Sequence, residues 1–193
     1  MYTGVGLRKI AKNLRNFGHL WGFDSFQGIP PQEENARGYH PSGHFRGGGY
    51  SAADALGIYS LDALEKKIAA LATPYHSNLT LIAGFFNDSL RSERVARTPF
   101  QPALLVDLDV DVYSSTIEAL EWLLSRNLLV PGSFVRYDDW PAGPAAHGPH
   151  KGTLLYGQAL AHDDITKRYG IRWRGMLNQT RAFQIVSIGP RQA

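Results

Sequence analysis

The sequence predicts an α/β protein with a mostly parallel sheet and helices on both of its faces. Three observations indicate this fold. Continuous apolar runs of strand length alternate with amphipathic helical segments, which is typical of parallel sheets buried on both sides. Glycine and proline separate these segments clearly. The last two apolar runs are joined by a short polar connection, which predicts an antiparallel hairpin at the C-terminal edge.

The elements follow from local patterns. The predicted strands are apolar and rich in β-branched or aromatic residues: 19–23, 79–86, 102–110, 133–137, 171–176 and 181–188. The predicted helices carry apolar residues at helical spacing: 6–17, 60–72, 115–124 and 153–169. Ser60 is a candidate N-cap of the second helix. We interpret residues 27–59 and 141–152 as substrate lids, since long Gly- and Pro-rich loops in compact domains are usually functional.

Length and composition exclude several classes of protein. The chain has 193 residues, of which 44% are hydrophobic and 19% charged, and this balance excludes disorder as the dominant state. No apolar run approaches the length of a membrane span, and the N-terminus lacks the apolar core of a signal peptide. The absence of cysteine excludes disulfide scaffolds, thiolate zinc sites and cysteine nucleophiles. We expect a soluble, cytoplasmic protein without a membrane partner.

The charge distribution does not indicate a nucleic-acid partner. The net charge of +3 reflects 20 basic and 17 acidic residues. The densest arginine group, Arg91, Arg94 and Arg97, is interrupted by Glu93. Nucleic-acid-binding proteins usually cluster their basic residues on one face. We therefore interpret this group as a solvated surface.

Carboxylates follow four of the predicted strands. Asp24, Asp88, Asp109 and the pair Asp138–Asp139 each come after the end of a strand. Ligands of parallel α/β sheets bind outside the carboxyl ends of the strands. The sequence therefore predicts an acidic rim at the binding edge of the sheet.

The acidic segment from Asp107 to Asp111 and the later pair suggest a hard cation. Three acids in one strand end repel each other unless a cation or a proton compensates them. Oxygen ligands of this kind suit Mg²⁺. The alternative is structural: Asp111 would cap the helix that starts near Ser114, and Asp139 would stabilise its turn. We favour the metal because both acidic segments lie on neighbouring strands.

Two chemistries fit this acidic pattern. The first is phosphoryl hydrolysis of the haloacid-dehalogenase type, which begins with an apolar strand and a DxD sequence. The interval between Asp109 and Asp138 leaves room for a single helix, which argues against that type. The second is metal-assisted methyl transfer.

Four motifs in this chain resemble those of the macrocin O-methyltransferase-like family, and they occur in the family's order. Residues 21–30, WGFDSFQGIP, resemble its DSFxGxP signature, and residues 84–90, GFFNDSL, its GxFxDTL motif. Residues 109–116, DVDVYSST, resemble DxDLYxST, and residues 130–140, VPGSFVRYDDW, resemble PGGxxxxDDY. The resemblance implies a single domain over 1–193 with the Rossmann-like fold of class I S-adenosylmethionine-dependent methyltransferases. It also implies Mg²⁺-dependent methylation of a hydroxyl, typically on a sugar of a natural product.

The resemblance also implies where the cofactor binds. Asp24 would accept hydrogen bonds from the ribose of S-adenosylmethionine, and Ser25 and Phe26 would border the adenosine. Asp88 and Ser89 would lie near the adenine. These five residues belong to the first two of the four motifs.

The later two motifs imply the catalytic groups. Asp109, Asp138 and Asp139 would hold Mg²⁺, and Asp111 would be the general base. An alcohol is a poor nucleophile, and a bound cation lowers its proton affinity. A nearby carboxylate can then take the proton as the methyl group is attacked.

The N-terminus departs from the family pattern. The family has a full first strand followed by an ExGxxxG-like loop, and here Gly4 and Gly6 would be remnants of that loop, with Gly4 at the cofactor. We expect an incomplete first strand from N-terminal truncation, and a homo-oligomer or another segment that covers its place. Ser133 replaces the second glycine of PGG, and Arg136 puts a charge in a strand that should be buried. The alternative function is a non-catalytic or truncated binding or oligomerisation protein with this fold.

The predicted lids contain further candidates. Four histidines lie in them: His40, His44, His147 and His150. We interpret them as solvent-exposed loop residues, with substrate contact or a base role in place of Asp111 as the alternative. Tyr39, Phe45 and Tyr50 are candidates to line an acceptor pocket or to staple the loop to the domain.

Overall fold

The structure is a computed structural model, and it describes residues 2–14, 17–32, 36–39, 45–140, 156–176 and 179–192. The helices are α1 Val5–Asn13, α2 Ala52–Leu56, α3 Leu61–Ala72, α4 Phe86–Ser89, α5 Glu93–Arg97, α6 Tyr113–Ser125 and α7 Gly157–Arg168. The strands are β1 Leu20–Asp24, β2 Leu79–Ala83, β3 Leu105–Leu108, β4 Phe134–Tyr137, β5 Arg172–Met176 and β6 Gln179–Ser187. The chain divides into two compact units. The first unit consists of Met1–Pro31 and Arg46–Arg97, and the second of Gln32–Phe45 and Thr98–Ala193.

The first unit contains the parallel pair β1–β2, which runs in register from Leu20 opposite Leu79 to Asp24 opposite Ala83. Helix α3 begins where the sequence predicts, because the Ser60 side chain accepts a hydrogen bond from the backbone N–H of Ala63. The buried residues of α3 recur every four positions, which puts them on one face of the helix: Leu64, Ile68 and Ala72. They pack in a core with Leu7 and Ala11 of α1, Phe26, Ala52 and Leu81.

The second unit contains a mixed sheet in the order β3-β4-β6-β5. Strands β3 and β4 are parallel, with Leu105 opposite Phe134 and Leu108 opposite Tyr137. Strand β6 is antiparallel to both β4 and β5, which confirms the predicted C-terminal hairpin. Since β3 and β4 point the same way, the chain leaves both at the same edge of the sheet.

The α/β class is confirmed, whereas the described strands do not form one continuous sheet. They form a parallel pair and a mixed four-stranded sheet, in which β1 pairs with β2 and β3 pairs with β4. The strands predicted at 79–86 and 102–110 are much shorter than expected, at Leu79–Ala83 and Leu105–Leu108. The apolar run at 79–86 stops at Ala83 because Gly84, at φ +123°, turns the chain into α4.

Within the described ranges, no helix is long and apolar enough to cross a bilayer.

Arg136 and Ser133, the two residues that depart from the PGGxxxxDDY motif, both form polar interactions within the second unit. Arg136 of β4 stands opposite Asp107 of β3 and forms ion pairs with Asp107 and Asp138. The Ser133 side chain is buried, donates to the carbonyl of Ala103 (2.7 Å) and accepts from the backbone N–H of Val130 (3.2 Å). The Arg136 guanidinium and the Ser133 hydroxyl therefore both have hydrogen-bond partners in the folded protein.

Candidate active site

Two acidic segments leave the sheet side by side in the second unit. The backbone N–H of Asp138 donates to the carbonyl of Leu108 (2.9 Å), so the ends of β3 and β4 are joined at the last residue of β3. Past that point the chain carries Asp109 and Asp111 on one side and Asp138 and Asp139 on the other. The structure thus brings residues of the third and fourth motifs to one edge, as the sequence predicts for neighbouring parallel strands.

Asp111 has a left-handed backbone conformation, with φ at +59°. Few non-glycine residues adopt this conformation, and aspartate tolerates it better than most. The N-cap of α6 is Val112, without a side-chain cap hydrogen bond. The alternative prediction, in which Asp111 caps this helix, is therefore wrong. Strained conformations of this kind cluster at functional sites.

A cavity of about 310 Å³ opens at this edge. It is lined by Phe45, Asp111, Asp138, Asp139, Trp140, Tyr156, Gly157 and Arg181. Of the four aspartates predicted as metal ligands or general base, three thus share one cavity with aromatic walls. Phe45, one of the loop aromatics that the sequence suggests for an acceptor pocket, lines it as well.

The carboxylates of this cavity repel each other. Burial raises the pKa of the Asp111 carboxyl, and the charges of Asp139 and Asp109 raise it further. Burial likewise raises the pKa of Asp139, with additional contributions from Asp109 and Asp138. Asp109 is therefore close enough to act on both groups. A proton or a cation would compensate the repulsion between Asp111, Asp139 and Asp109.

The two adjacent aspartates differ in their surroundings. The Asp138 carboxylate pairs with Arg136, and its backbone carbonyl accepts from the Arg181 guanidinium. The Asp139 Oδ2 atom is buried and receives no hydrogen bond from the described residues. A buried carboxylate oxygen without a donor is costly, and a proton, a water molecule or a ligand can satisfy it.

The donor chemistry of the acidic segments fits a hard cation, because carboxylate oxygens are the ligands that Mg²⁺ prefers. In the part of the chain that the structure describes, however, no group of three or more His, Asp or Glu side chains is in position to hold a metal ion. The assignment of Asp109, Asp138 and Asp139 as magnesium ligands stays a prediction.

Helix α7 begins next to the acidic segments. Its first residue, Gly157, has φ +53°, and a Cβ atom there would lie 3.4 Å from the carbonyl oxygen of Asp111. The side chain of Gln158 is buried and bonds both strand ends: its Oε1 accepts from the N–H of Asp139 (2.9 Å) and its Nε2 donates to the carbonyl of Leu108 (3.0 Å). No local sequence motif indicates Gln158, Tyr156 or Arg181, since each is a single polar residue.

A cluster of aromatic rings packs around Trp140, which lines the cavity. Trp140 lies 5.1 Å from the Tyr137 ring and 4.8 Å from the Phe183 ring, between centroids. His162 of α7 lies in the same cluster, and its Nδ1 atom is 3.0 Å from the Tyr137 hydroxyl. Burial lowers the pKa of His162 to about 3, so this imidazole is neutral near neutral pH.

The residues predicted to bind the ribose lie in the first unit, at the end of β1. Asp24 accepts two backbone hydrogen bonds, from the N–H of Phe26 (2.7 Å) and of Tyr2 (3.2 Å). Ser25 Oγ donates to the carbonyl of Gly28 (2.9 Å). Phe26 is buried in the core of the unit. Their roles toward a cofactor stay predictions.

The other predicted cofactor residues lie in the same unit. Gly4 occupies the N-cap of α1 at φ +85°, and a Cβ atom there would lie 2.9 Å from Leu71 Cδ1. Asp88 and Ser89 belong to α4, which follows β2. Ser89 Oγ is buried and has no hydrogen-bond partner among the described residues. The four lid histidines lie outside the described residues.

Comparisons with known proteins agree with the motifs. The family model described as macrocin O-methyltransferase (TylF) matches residues 6–148. The chain is 26% identical over 169 residues to an enzyme of Streptomyces olivaceus, 8-demethyl-8-(2,3-dimethoxy-alpha-L-rhamnosyl)-tetracenomycin-C 4'-O-methyltransferase. That alignment covers 88% of this chain and 59% of the relative, so the chain spans less than two thirds of the relative's length.

Two solved structures share the fold at low sequence identity. The calicheamicin methyltransferase CalS11 superposes with a TM-score of 0.59 at 18% identity, over 94% of this chain and 65% of that one. The O-methyltransferase NovP superposes with a TM-score of 0.55 at 18% identity, over 95% of this chain and 66% of that one. The family model covers most of the sequence, including all four motifs. The chain therefore belongs to the macrocin O-methyltransferase (TylF) family.

Proposed function

We propose that this protein is an S-adenosylmethionine-dependent O-methyltransferase that acts on a hydroxyl of a sugar or natural-product-like acceptor. Membership of the family supports the reaction, and the relative named for a rhamnosyl-tetracenomycin supports the class of acceptor. The observation that carries the proposal is the acidic cavity. Asp111 of one motif and Asp138 and Asp139 of another, distant in sequence, line it together with aromatic side chains.

Asp24 is the proposed ribose ligand. Its carboxylate lies at the end of β1, where it accepts backbone hydrogen bonds from Tyr2 and Phe26. Ser89 Oγ, buried without a partner among the described residues, is a candidate to bond the adenine side of the cofactor. Gly4, Ser25, Phe26 and Asp88 complete the proposed cofactor set.

Asp111 is the proposed general base. It accepts the proton of the acceptor hydroxyl while the oxygen lone pair attacks the methyl carbon of S-adenosylmethionine. The C–S bond breaks with its electron pair going to sulfur, so the products are a methyl ether, neutral S-adenosylhomocysteine and a protonated Asp111. Burial is the main cause that raises the pKa of the Asp111 carboxyl, and this favours acceptance of the proton.

Mg²⁺ is the proposed metal, with Asp109, Asp138 and Asp139 as the residues that would hold it. When bound, it would lower the proton affinity of the acceptor hydroxyl. The buried Asp139 Oδ2 atom, which receives no hydrogen bond from the described residues, supports this assignment. Asp138 would have to divide its carboxylate between the ion and Arg136. The segments at 27–59 and 141–152 are the proposed lids over the acceptor, and a homo-oligomer is the proposed assembly.

Calorimetric titration with S-adenosylhomocysteine tests this function first. Binding at micromolar concentration is expected for an enzyme of this kind. Methyl transfer from labelled S-adenosylmethionine to rhamnosylated tetracenomycin C, with and without Mg²⁺, then tests the reaction and the acceptor class. A folded protein that binds neither S-adenosylmethionine nor S-adenosylhomocysteine would support the alternative, a non-catalytic binding or oligomerisation protein.

A further inference from the structure

One buried side chain joins the two strand ends that carry the acidic residues. Gln158 in the first turn of α7 is 1% exposed. Its Oε1 accepts from the backbone N–H of Asp139 at 2.9 Å, and its Nε2 donates to the backbone carbonyl of Leu108 at 3.0 Å. The amide uses both its donor and its acceptor on backbone groups of two different segments. Gln158 is therefore a polar bridge between the end of β3 and the residues after β4.

The bridge lies where regular strand pairing stops. The parallel ladder ends with Leu108 opposite Tyr137, followed by the bond from the N–H of Asp138 to the Leu108 carbonyl. The Leu108 carbonyl thus accepts two hydrogen bonds, one from Asp138 and one from Gln158. Gln158 extends the connection by one residue, to Asp139.

The same helix start also contacts the other acidic segment. Gly157 lies so close to Asp111 that a Cβ atom would be 3.4 Å from the Asp111 carbonyl oxygen. The first two residues of α7 therefore lie beside both acidic segments: Gly157 next to the Asp111 carbonyl, and Gln158 bonded to the Asp139 N–H. Gln158 itself is not among the residues that line the cavity.

We propose that Gln158 is a positioning residue, which sets the separation between the carboxylates of Asp111 and Asp139. This inference rests on the proposed function, because it assigns to Gln158 an effect on turnover through these two groups. Displacement of catalytic groups by about 1 Å can cost on the order of 10²-fold in rate. Loss of the bridge should therefore lower kcat, while the affinity for S-adenosylmethionine, whose proposed ligands lie in the first unit, stays unchanged.

The chain offers a matched control at the opposite end of the same strands. Ser133 is 2% exposed, and its hydroxyl also makes two hydrogen bonds to backbone groups, the carbonyl of Ala103 and the N–H of Val130. Ala103 precedes β3 and Ser133 precedes β4, so this bridge joins the amino ends of the two strands. Ser133→Ala removes a buried bridge of the same kind, far along the strands from the acidic residues.

The experiment compares Gln158→Met, which keeps the length of the side chain and removes both hydrogen bonds, with Ser133→Ala. Unfolding in urea, kcat and KM are measured for both variants and the wild type under conditions in which all are folded. We expect both variants to lose stability, and Gln158→Met alone to lose roughly 10²-fold in kcat with an unchanged KM for S-adenosylmethionine. Equal kcat values in the wild type and Gln158→Met, or equal losses in both variants, would overturn the positioning role.

A second variant keeps the test decisive where Gln158→Met does not fold. Gln158→Glu has the same length and retains the acceptor for the Asp139 N–H but loses the donor to the Leu108 carbonyl, so its kcat should fall below that of the wild type while the cofactor KM stays unchanged. A raised cofactor KM with an unchanged kcat in Gln158→Glu would contradict the proposal. If the wild type transfers no methyl group, the proposed function fails and the inference with it. If the wild type is active and the Gln158 variants match its kcat, the inference alone fails.

Discussion

Arg37 and Asp164 form a two-point ion pair across 127 residues of sequence. The Arg37 guanidinium donates from Nε to Oδ2 at 2.9 Å and from Nη2 to Oδ1 at 2.6 Å, and the Tyr113 hydroxyl donates to the same Oδ2 at 2.8 Å. The adjacent Gly38 carbonyl accepts from the N–H of Gly157 at 3.1 Å. The segment 36–39 is thereby fastened to α6 and α7 in the second unit.

This ion pair yields a stability prediction. Asp164→Ala should lower the free energy of unfolding by about 1–2 kcal/mol, because the Asp164 carboxylate is 15% exposed and accepts three hydrogen bonds, while the 62% exposure of Arg37 weakens the charge contribution. Asp163→Ala is the matched control. Asp163 pairs with Lys167 one turn away on the same helix, which is worth about 0.5 kcal/mol or less. Urea unfolding of both variants measures the difference, and equal losses would contradict the role of Asp164.

Removal of the Asp24 carboxylate should weaken cofactor binding. Hydrogen bonds to a charged group are worth about 1.5–3 kcal/mol each, so Asp24→Ala should weaken S-adenosylhomocysteine binding by about tenfold or more in calorimetric titration. Asp62→Ala is the control. Asp62 is an exposed aspartate of the same unit that pairs with Lys66, so this substitution removes the same charge away from the proposed site. An affinity of Asp24→Ala equal to that of the control would refute the ribose assignment.

The acidic segments should separate into metal ligands and a base. Asp109→Asn should lose Mg²⁺ affinity, because neutralising a carboxylate at a hard-cation site is costly. Asp111→Asn should keep much of that affinity and lose about 10²–10⁴-fold in turnover, as is typical of a general base. Mg²⁺ titration and methyl-transfer rates are measured for both. Equal loss of Mg²⁺ affinity would make Asp111 a ligand, and unchanged Mg²⁺ affinity in both would exclude the metal assignment.

The half-buried His162 predicts a pH dependence of stability. Its pKa is lowered by burial to about 3, whereas a histidine in the unfolded chain titrates near 6.5. Between these values the unfolded chain binds the additional proton, so this contribution to stability is fully present above about pH 6.5 and is lost as pH falls toward about 3. The slope is at most about 1.4 kcal/mol per pH unit.

His162→Gln provides the comparison, because glutamine remains polar toward the Tyr137 hydroxyl and does not titrate. Urea unfolding from pH 4 to 7 should show a steeper decline for the wild type than for His162→Gln on the acid side. All other groups that titrate in this pH range are present in both proteins. The difference between the two curves of unfolding free energy against pH therefore reports on His162 alone. Parallel curves would show that His162 does not contribute to the pH dependence.

Local sequence was sufficient for elements whose stabilising contacts are close in sequence. The helix predicted at 60–72 forms because Ser60 caps it and its apolar residues recur at four-residue spacing, and both features are visible within one segment. The acidic edge of β3 and β4 could be predicted for a similar reason, since neighbouring parallel strands end at one side of a sheet, whereas Asp24 and Asp88 follow the strands of the other sheet. The motifs were sufficient for the family, because they identify it by residue type and order.

Contacts between distant segments were decided only by the tertiary structure. Arg136 looked unsuitable for a buried strand until the register placed Asp107 of the neighbouring strand opposite it. The division of the described strands into two sheets depends on which strands become neighbours, and the apolar runs do not encode that choice. Gln158 bonds Leu108, 50 residues earlier, and Asp139, 19 residues earlier. The apolar pattern of a helix predicts which of its faces is buried, but it does not predict which backbone groups that face will contact. The hydrogen-bond partners of Gln158 are therefore known only from the folded structure.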